Sequence, residues 1–161
     1  MDKLISCLDR QFTELHRAHR GLIGAISPEL LYKQPPGGSS LFPTRSCGEY
    51  VLRSAAAVEQ TFGGITTNLW DDPFEWTLPE ALPTPEKVFG YLEEVEATRK
   101  HGFEFFRSDA DLLKGIVAPS GKTQLFPLLL DTLARAAHHQ GGAAATLDLL
   151  TSISKGAEQS P

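Results

Sequence analysis

The chain has 161 residues, which suits a single domain over residues 1–161 with a core of its own. Lys and Arg number 15 against 20 Asp and Glu, so the formal net charge is -5, and the absence of a basic run argues against nucleic acid or an anionic membrane as a partner. Cys7 and Cys47 lack the number and spacing of a disulfide framework, so we expect two small, reduced packing residues. With no signal peptide or membrane-spanning pattern, we expect a cytoplasmic protein.

The first half of the chain predicts two long helices and a short one. Between positions 4 and 26, apolar residues recur at steps of four and three, which predicts an amphipathic helix with His19 on its buried stripe. Ser27 before a proline predicts a short helical turn. A second long helix is expected to begin near Thr44 or Ser46, with Ser54 bordering its stripe. Residues 67–83, which carry both tryptophans, are predicted to form a long crossover.

The second half predicts two more long helices. Thr84 followed by a proline is a start signal, and the stripe of the third long helix is interrupted by Arg99 and Gly102. A helical turn is expected after Ser108 in the connection that follows. The last helix is predicted to begin near Thr123 and to carry an apolar stripe as far as residue 150.

These four long helices predict an all-α protein, because no segment shows a convincing alternation of period two. A four-helix bundle is the expected architecture. The roughly seventeen residues between the second and third long helices are enough to return along the bundle and begin a parallel neighbour. The predicted order is therefore up-down-down-up, with a long crossover between helices 2 and 3.

The last helix places two polar residues together on one face. Arg135 lies one turn before His139, so their side chains are predicted to be neighbours. Histidines spaced i, i+4 are typical of half a Zn or Ni site, but a guanidinium has no lone pair to offer and repels a dication. His138 lies about 100° around the helix from His139, so this adjacent pair cannot chelate an ion and His138 is expected at the edge of the packed face. The residues therefore favour a buried histidine in a polar patch over a tight metal site.

Two further features of the stripes have alternative interpretations. His19 is either a core histidine satisfied by a neighbouring carbonyl or a member of a polar pocket that it shares with His139. Gly141 and Gly142 each cost a helix about 1 kcal/mol relative to alanine, so a compensating close approach is expected. A neighbouring helix, a ligand or another subunit would each supply one, and helix packing is the commonest cause.

Three stretches resemble the DinB-like (damage-inducible, YfiT-related) metalloenzyme superfamily: "SPELLYKQPPGGSS", "GEYVLRSAAAVEQTF" and "ARAAHHQGGAAATLDLL". In that family the second helix carries a histidine followed five residues later by a glutamate, and the last reads His-x-x-x-His-Arg-Gly-Gln. The resemblance implies a four-helix bundle, usually a homodimer, with three histidines holding a divalent metal such as Zn or Ni. Characterised relatives include thiol-dependent transferases and a maleylpyruvate isomerase.

The resemblance also implies which residues occupy the family's ligand positions. Glu59 matches the family glutamate, which puts Ser54 at the first ligand histidine, or Arg53 if the register is one residue off. Arg135 occupies the second ligand position and His139 the third. Only one of three metal ligands remains, so the resemblance implies that the scaffold is kept and the metal site lost.

Three functional hypotheses follow from these residues. The first is a metal-free pocket for a small anionic or thiol-bearing molecule, in which the family positions Ser54, Arg135 and His139 are joined by His19, Arg53 and His138. The second is a metal-dependent hydrolase, or a thiol-dependent S-transferase or isomerase, with substitute ligands drawn from His139, His19, His138 and His16. The third is a structural or regulatory dimer without a ligand.

Overall fold

The computed structural model describes residues 2–37, 44–73 and 77–158. These ranges are mostly helical, with five α-helices, a 3₁₀ helix and one two-stranded antiparallel sheet. In chain order the elements are α1 Lys3–Ala25, α2 Pro28–Leu31, α3 Cys47–Thr67, α4 Pro85–Phe103, the 3₁₀ helix Asp109–Leu113, β1 Gly115–Ala118, β2 Gly121–Gln124 and α5 Leu125–Glu158. Parts of the predicted loop before α3 (38–43) and of the predicted crossover (74–76, with one tryptophan) lie outside the described residues. No described helix has both the length and the apolar character that a membrane span requires.

Short-range signals account for where the helices begin. Ser27, Ser46 and Thr84 are the N-caps of α2, α3 and α4, as the sequence predicts. At α3 the Ser46 hydroxyl accepts a hydrogen bond from the Glu49 amide, and the Glu49 carboxylate accepts one from the Ser46 amide. This reciprocal capping satisfies two backbone donors that a helix end leaves without intrahelical partners.

Four long helices, α1, α3, α4 and α5, pack around one apolar core. α1 contacts α4 and α5, and α3 contacts the same two helices. The aromatic residues Phe12, Phe62 and Phe103 meet in the core, with ring centroids 5.2 Å apart for Phe12–Phe62 and 5.3 Å apart for Phe62–Phe103. Burial of apolar side chains from all four helices is the main favourable contribution to folding.

Individual contacts give the relative directions of these helices. Between α1 and α4 the contacts run in opposite directions along the chain, from Asp9–Arg99 to Arg20–Phe89. Those between α3 and α5 also run in opposite directions, with Ser54 on Ala136 and Thr61 on Thr132. By contrast, those between α3 and α4 advance together, with Glu59 on Tyr91 and Phe62 on Phe103.

The two interruptions of the α4 stripe have separate structural causes. Gly102 allows Phe62 to approach, because a Cβ at Gly102 would lie 2.4 Å from the Cδ1 atom of Phe62. Arg99 is buried with its charge satisfied, since its guanidinium donates hydrogen bonds to the carboxylates of Glu96 and Asp9. An arginine and a glycine on the buried face are therefore compatible with the predicted helix.

The segment before α5 differs from the sequence prediction. The helical turn after Ser108 is present as the 3₁₀ helix, but the next residues form an antiparallel hairpin, and α5 begins at Leu125 rather than near Thr123. The hairpin gave no signal in the sequence because strands of four residues are too short to show an alternating pattern, and the protein remains mostly helical. Gly121, with φ of 113°, adopts a left-handed conformation just after the turn. Of the two cysteines, Cys47 is buried as expected whereas Cys7 is exposed.

Candidate functional site

Small polar side chains form hydrogen bonds between α3 and α5, the two helices that flank the candidate site. The Ser54 hydroxyl, fully buried, donates a 2.7 Å hydrogen bond to the Ala136 carbonyl oxygen. Two turns further along α3, the hydroxyls of Thr61 and Thr132 are 2.7 Å apart and hydrogen-bonded. Ser54 is thus part of the contact between the helices and does not line the pocket described next.

A pocket of about 190 Å³ lies beside this contact, between α3, α5 and the crossover. Its lining residues are Arg53, Ala56, Ala57 and Gln60 from α3, Asp72 from the crossover, and Arg135 and His139 from α5. The Gln60 side-chain amide donates a 3.1 Å hydrogen bond to the Trp70 carbonyl oxygen, which ties the crossover to α3. The Trp70 ring packs on Gly64, where a Cβ would lie 2.3 Å from the ring.

The two arginines of the pocket are held in different surroundings. Arg135 is half exposed and its Nε lies 3.3 Å from Asp131 Oδ2, one turn earlier on α5. Arg53 is half-buried, and this burial together with the charge of Arg45 lowers the pKa of its guanidinium, while Glu49 and Asp72 act in the opposite direction. Guanidinium groups remain protonated in proteins, so both arginines carry a positive charge at neutral pH.

His139 meets the pocket with an uncharged ring. Its ring centroid lies 6.2 Å from that of Tyr50 and 5.5 Å from that of His138. The pKa of His139 is lowered chiefly by burial. The charges of His138, Arg53, Arg45 and Arg135 lower it further. The imidazole is therefore neutral at pH 7, and its Nδ1 atom is buried without a hydrogen-bond partner.

The remaining predicted site residues lie elsewhere. His19 is buried in a separate cavity of about 20 Å³ between α1, α3 and α4, so it does not share a pocket with His139. Its Nε2 has no hydrogen-bond partner, so it is a core histidine but not one satisfied there by a carbonyl. His138 is exposed at the edge of α5, and Glu59 accepts a 2.5 Å hydrogen bond from the Tyr91 hydroxyl on α4.

Comparison with solved structures identifies the fold. A crystal structure of a protein from Exiguobacterium sibiricum, described as a candidate member of the DinB family, superimposes with a TM-score of 0.67 over 94% of each chain at 22% sequence identity. The chain has a DinB-like fold. A scan of the sequence against models of protein families gave no match, and neither did a search of curated proteins.

The metal implied by a DinB-like fold can be tested against the residues present. Ser54, which the resemblance implies for the first ligand position, is buried and its hydroxyl already donates a hydrogen bond to a backbone carbonyl. Arg135, at the second, has no lone pair to offer, which leaves His139. Across residues 2–37, 44–73 and 77–158, no three His, Cys, Asp or Glu side chains are grouped closely enough to hold a metal ion. The residues at these positions do not fit a three-histidine metal site.

Sequence reasoning missed two polar residues that line the pocket, Gln60 and Asp72, and also Tyr50, whose ring packs beside His139. Gln60 lies seven residues after Arg53 and so on the same helix face, a spacing that could have revealed it. Tyr50 could have been suspected from Gly142, because a Cβ on Gly142 would lie 2.9 Å from the Tyr50 ring. Asp72 had no such signal, since the path of a crossover is not set by helical periodicity.

Proposed function

We propose that this protein binds small anionic molecules, without a metal, in the pocket between α3, α5 and the crossover. The observation that carries the proposal is the convergence on one cavity of the side chains of Arg53 and Arg135 with the neutral imidazole of His139. Guanidinium groups bind carboxylate, sulfonate or phosphate oxygens through directed, charge-assisted hydrogen bonds. A neutral imidazole adds a further hydrogen bond without adding charge.

The size and lining of the pocket restrict the ligand. A volume of about 190 Å³ is below the roughly 300–1,000 Å³ typical of sites for drug-sized ligands, so the ligand we propose is small. Ala56 and Ala57 contribute apolar surface beside the charged groups, which suits a short hydrocarbon portion. A thiol-bearing ligand enters this proposal through an anionic group, either the thiolate or a carboxylate on the same molecule.

The proposed architecture is an up-down-down-up four-helix bundle that has lost its ancestral metal ligands. The opposed contacts of α1 with α4 and of α3 with α5, and the parallel contacts of α3 with α4, support that order. The ligand loss is supported by the hydrogen bond of Ser54 to the Ala136 carbonyl and by the cation at Arg135. Homodimer formation and a cytoplasmic location stay predictions, and the solution mass tests the first.

Truncation of the arginines tests the proposal. Arg53→Ala and Arg135→Ala are each expected to weaken binding about ten- to a hundredfold, because each removes hydrogen bonds from a charged donor. Thermal-shift titrations with acetate, mercaptoacetate, methanesulfonate and sulfate would measure this loss. The matched control is Arg17→Ala on the exposed surface of α1, which is expected to keep the parent response. It also corrects for sulfate stabilising folded proteins by exclusion from their surfaces.

Two results would contradict the proposal. One is that no anion stabilises the parent protein more than it stabilises the Arg53 and Arg135 variants. The other concerns the metal: stoichiometric Zn, Ni or Fe in protein purified without an affinity tag, and lost in His139→Ala, would favour a metal-dependent enzyme with substitute ligands.

A further inference from the structure

One tyrosine contacts the site without lining the pocket. Tyr50 lies in the first turn of α3 and is half-buried. Its ring centroid is 6.2 Å from that of His139, and the two ring planes are inclined by 37°. His139 is among the described residues that line the pocket and Tyr50 is not. We therefore expect any effect of Tyr50 on a ligand to act through His139.

Gly142 provides the place for this tyrosine ring. A Cβ on Gly142 would lie 2.9 Å from the Cε1 atom of Tyr50 and 3.0 Å from its Cδ1 atom, so the ring lies directly against the backbone of α5. Residues three apart in a helix share a face. The ring therefore occupies the turn that follows His139, in the space that a side chain at position 142 would fill.

His139 is thus bounded in both directions along α5. Arg135, one turn earlier, lines the same pocket, and the Tyr50 ring lies on the turn after it. Tyr50 is itself contacted from the loop before α3, because the guanidinium carbon of Arg45 lies 6.0 Å from its ring centroid. The Thr146 hydroxyl donates a 3.4 Å hydrogen bond to the Arg45 carbonyl oxygen, which ties that loop to α5. A side chain packed between such neighbours has few rotamers open to it.

We propose that Tyr50 is a positioning residue, whose ring rests on Gly142 and restricts the His139 imidazole to the orientation in which it lines the pocket. This inference rests on the proposed function, in which that imidazole forms a hydrogen bond to a bound anion. Because Nδ1 of His139 is buried, the hydrogen bond falls to the Nε2–H group of the neutral ring. A donor that is already held in place loses less conformational entropy on binding than one that the ligand must order.

Two substitutions of Tyr50 separate its ring from its hydroxyl. Tyr50→Ala removes the ring and Tyr50→Phe keeps it. Carbon-13 relaxation of the His139 ring CH groups would measure the mobility of the imidazole, and isothermal titration calorimetry would measure methanesulfonate binding. At pH 8 the imidazole is neutral in every variant, since even an exposed one has a pKa of about 6.5.

The ring is expected to account for the effect. Tyr50→Ala should make the imidazole more mobile and weaken methanesulfonate binding about three- to tenfold, which corresponds to one hydrogen bond between neutral and charged partners that is no longer preorganised. Tyr50→Phe should match the parent protein in mobility and, within about twofold, in affinity.

A second pair of variants displaces the ring without removing it. Gly142→Ala places a methyl group where the Tyr50 ring lies, so it is expected to raise the mobility of the imidazole and weaken binding in the same direction as Tyr50→Ala. The matched control is Gly141→Ala, because a Cβ at Gly141 would meet nothing within 4 Å. It is expected to keep the parent values of both quantities.

The outcomes separate this inference from the proposed function. Parent-like mobility of the imidazole in both Tyr50→Ala and Gly142→Ala overturns the role of Tyr50, whether or not anions bind. Higher mobility with unchanged, Arg53-dependent binding of methanesulfonate also overturns it. Absence of methanesulfonate binding by the parent protein overturns the anion site and this inference with it.

The two control variants decide whether the ring is responsible. An effect of Tyr50→Phe as large as that of Tyr50→Ala overturns the role of the ring in favour of the hydroxyl. Higher mobility together with weaker binding in Tyr50→Ala and Gly142→Ala, but in neither Tyr50→Phe nor Gly141→Ala, supports both the anion site and the positioning role.

Discussion

His19 shows how a single polar residue on an apolar stripe can belong to the core rather than to a site. It is 3% exposed, and its cavity is lined mainly by apolar residues of α1, α3 and α4. Burial, with a smaller contribution from the charge of His16, lowers the pKa of His19 to about 3. The folded protein therefore keeps this imidazole neutral at pH values where an unfolded chain protonates it.

We expect His19 to make the protein sensitive to acid. Because the pKa falls from 6.5 in the unfolded chain to about 3 in the folded one, the free energy of unfolding decreases as the pH falls from about 6.5 toward 3. The slope attributable to one such group is about 1.4 kcal/mol per pH unit. Urea denaturation of the parent protein and of His19→Leu at pH 7, 6, 5 and 4.5 would measure it, and the variant is expected to lose that much of the slope.

The control for this experiment is His101→Leu, which alters a histidine whose side chain is 63% exposed. It is expected to keep the parent slope, because folding leaves this side chain largely in contact with solvent. Equal slopes for His19→Leu and the parent protein would show that folding does not change the pKa of His19, which would contradict the effect assigned to burial.

The apolar stripes predicted which side chains are buried, but not which residues those side chains contact. They placed His19 and His139 on buried faces, and both rings are at least partly buried. The pattern could not show that His19 and His139 line different cavities, because that depends on which helices are neighbours. Helical periodicity gives the direction of a side chain from its own helix axis and nothing about the helix it meets.

At the scale of the elements, the two adjacent glycines of α5 have unequal roles. A Cβ on Gly142 would lie 2.9 Å from the Tyr50 ring, which packs beside His139, so Gly142 permits a close contact with α3. A Cβ on Gly141 would meet nothing within 4 Å. Helix packing therefore explains one glycine, and the described structure contains no contact that requires the other.

Alanine substitutions are expected to separate the two glycines. Gly141→Ala should raise the free energy of unfolding by about 1 kcal/mol, since alanine favours the helix and its methyl group has space. Gly142→Ala should fail to show this gain or should be destabilising, because the Tyr50 ring must move. Urea denaturation of both variants beside the parent protein measures the difference. A destabilised Gly141→Ala would contradict the expectation and would indicate a contact at this face, such as a second subunit.

Helix boundaries were predictable where a side chain caps the backbone, and the hairpin was not. The side chains of Ser46 and Thr84 each accept a hydrogen bond from the backbone amide three residues later. Such caps can therefore be predicted from the sequence without knowledge of the fold. The strands pair only with each other, in a register from Gly115↔Gln124 to Ala118↔Gly121, and four residues leave little room for a pattern. Apolar periodicity predicted the four long helices, but the path of the crossover that brings Asp72 to the pocket required the structure.

At the scale of the whole molecule, two groups of polar residues lie on different helix pairs. The cationic pocket lies on the α3 and α5 pair, whereas a buried cluster around Arg99 joins α4 to α1. In that cluster the Arg99 guanidinium donates two hydrogen bonds to Glu96, at 2.7 and 2.8 Å, and others to Asp9 and Thr13. All of its acceptors lie on α4 or α1, so the cluster joins helices that are distant in sequence.

The electrostatics of this cluster match its geometry. Burial acts to raise the pKa of Glu96, but the hydrogen bonds and charge of Arg99 outweigh it, and the pKa of Glu96 is lowered. Correspondingly, burial acts to lower the pKa of Arg99 while Glu96 and Asp9 raise it, with a net increase. Each charge is therefore stable in the folded protein because its partner is present.

Removal of one partner is expected to destabilise the whole fold. Arg99→Met should lower the free energy of unfolding by about 3–5 kcal/mol, because it leaves the buried Glu96 carboxylate without its buried partner and with the exposed Lys100 ammonium in its place. Glu96→Gln in the same chain should recover part of the loss by removing that charge. Urea denaturation measures both, with Lys100→Met as control: Lys100 is 66% exposed and lies 3.4 Å from the same Glu96 carboxylate, so its loss should cost no more than about 1 kcal/mol. Equal costs for Arg99→Met and Lys100→Met would show that burial adds nothing to the cluster and that apolar packing alone holds α1 to α4.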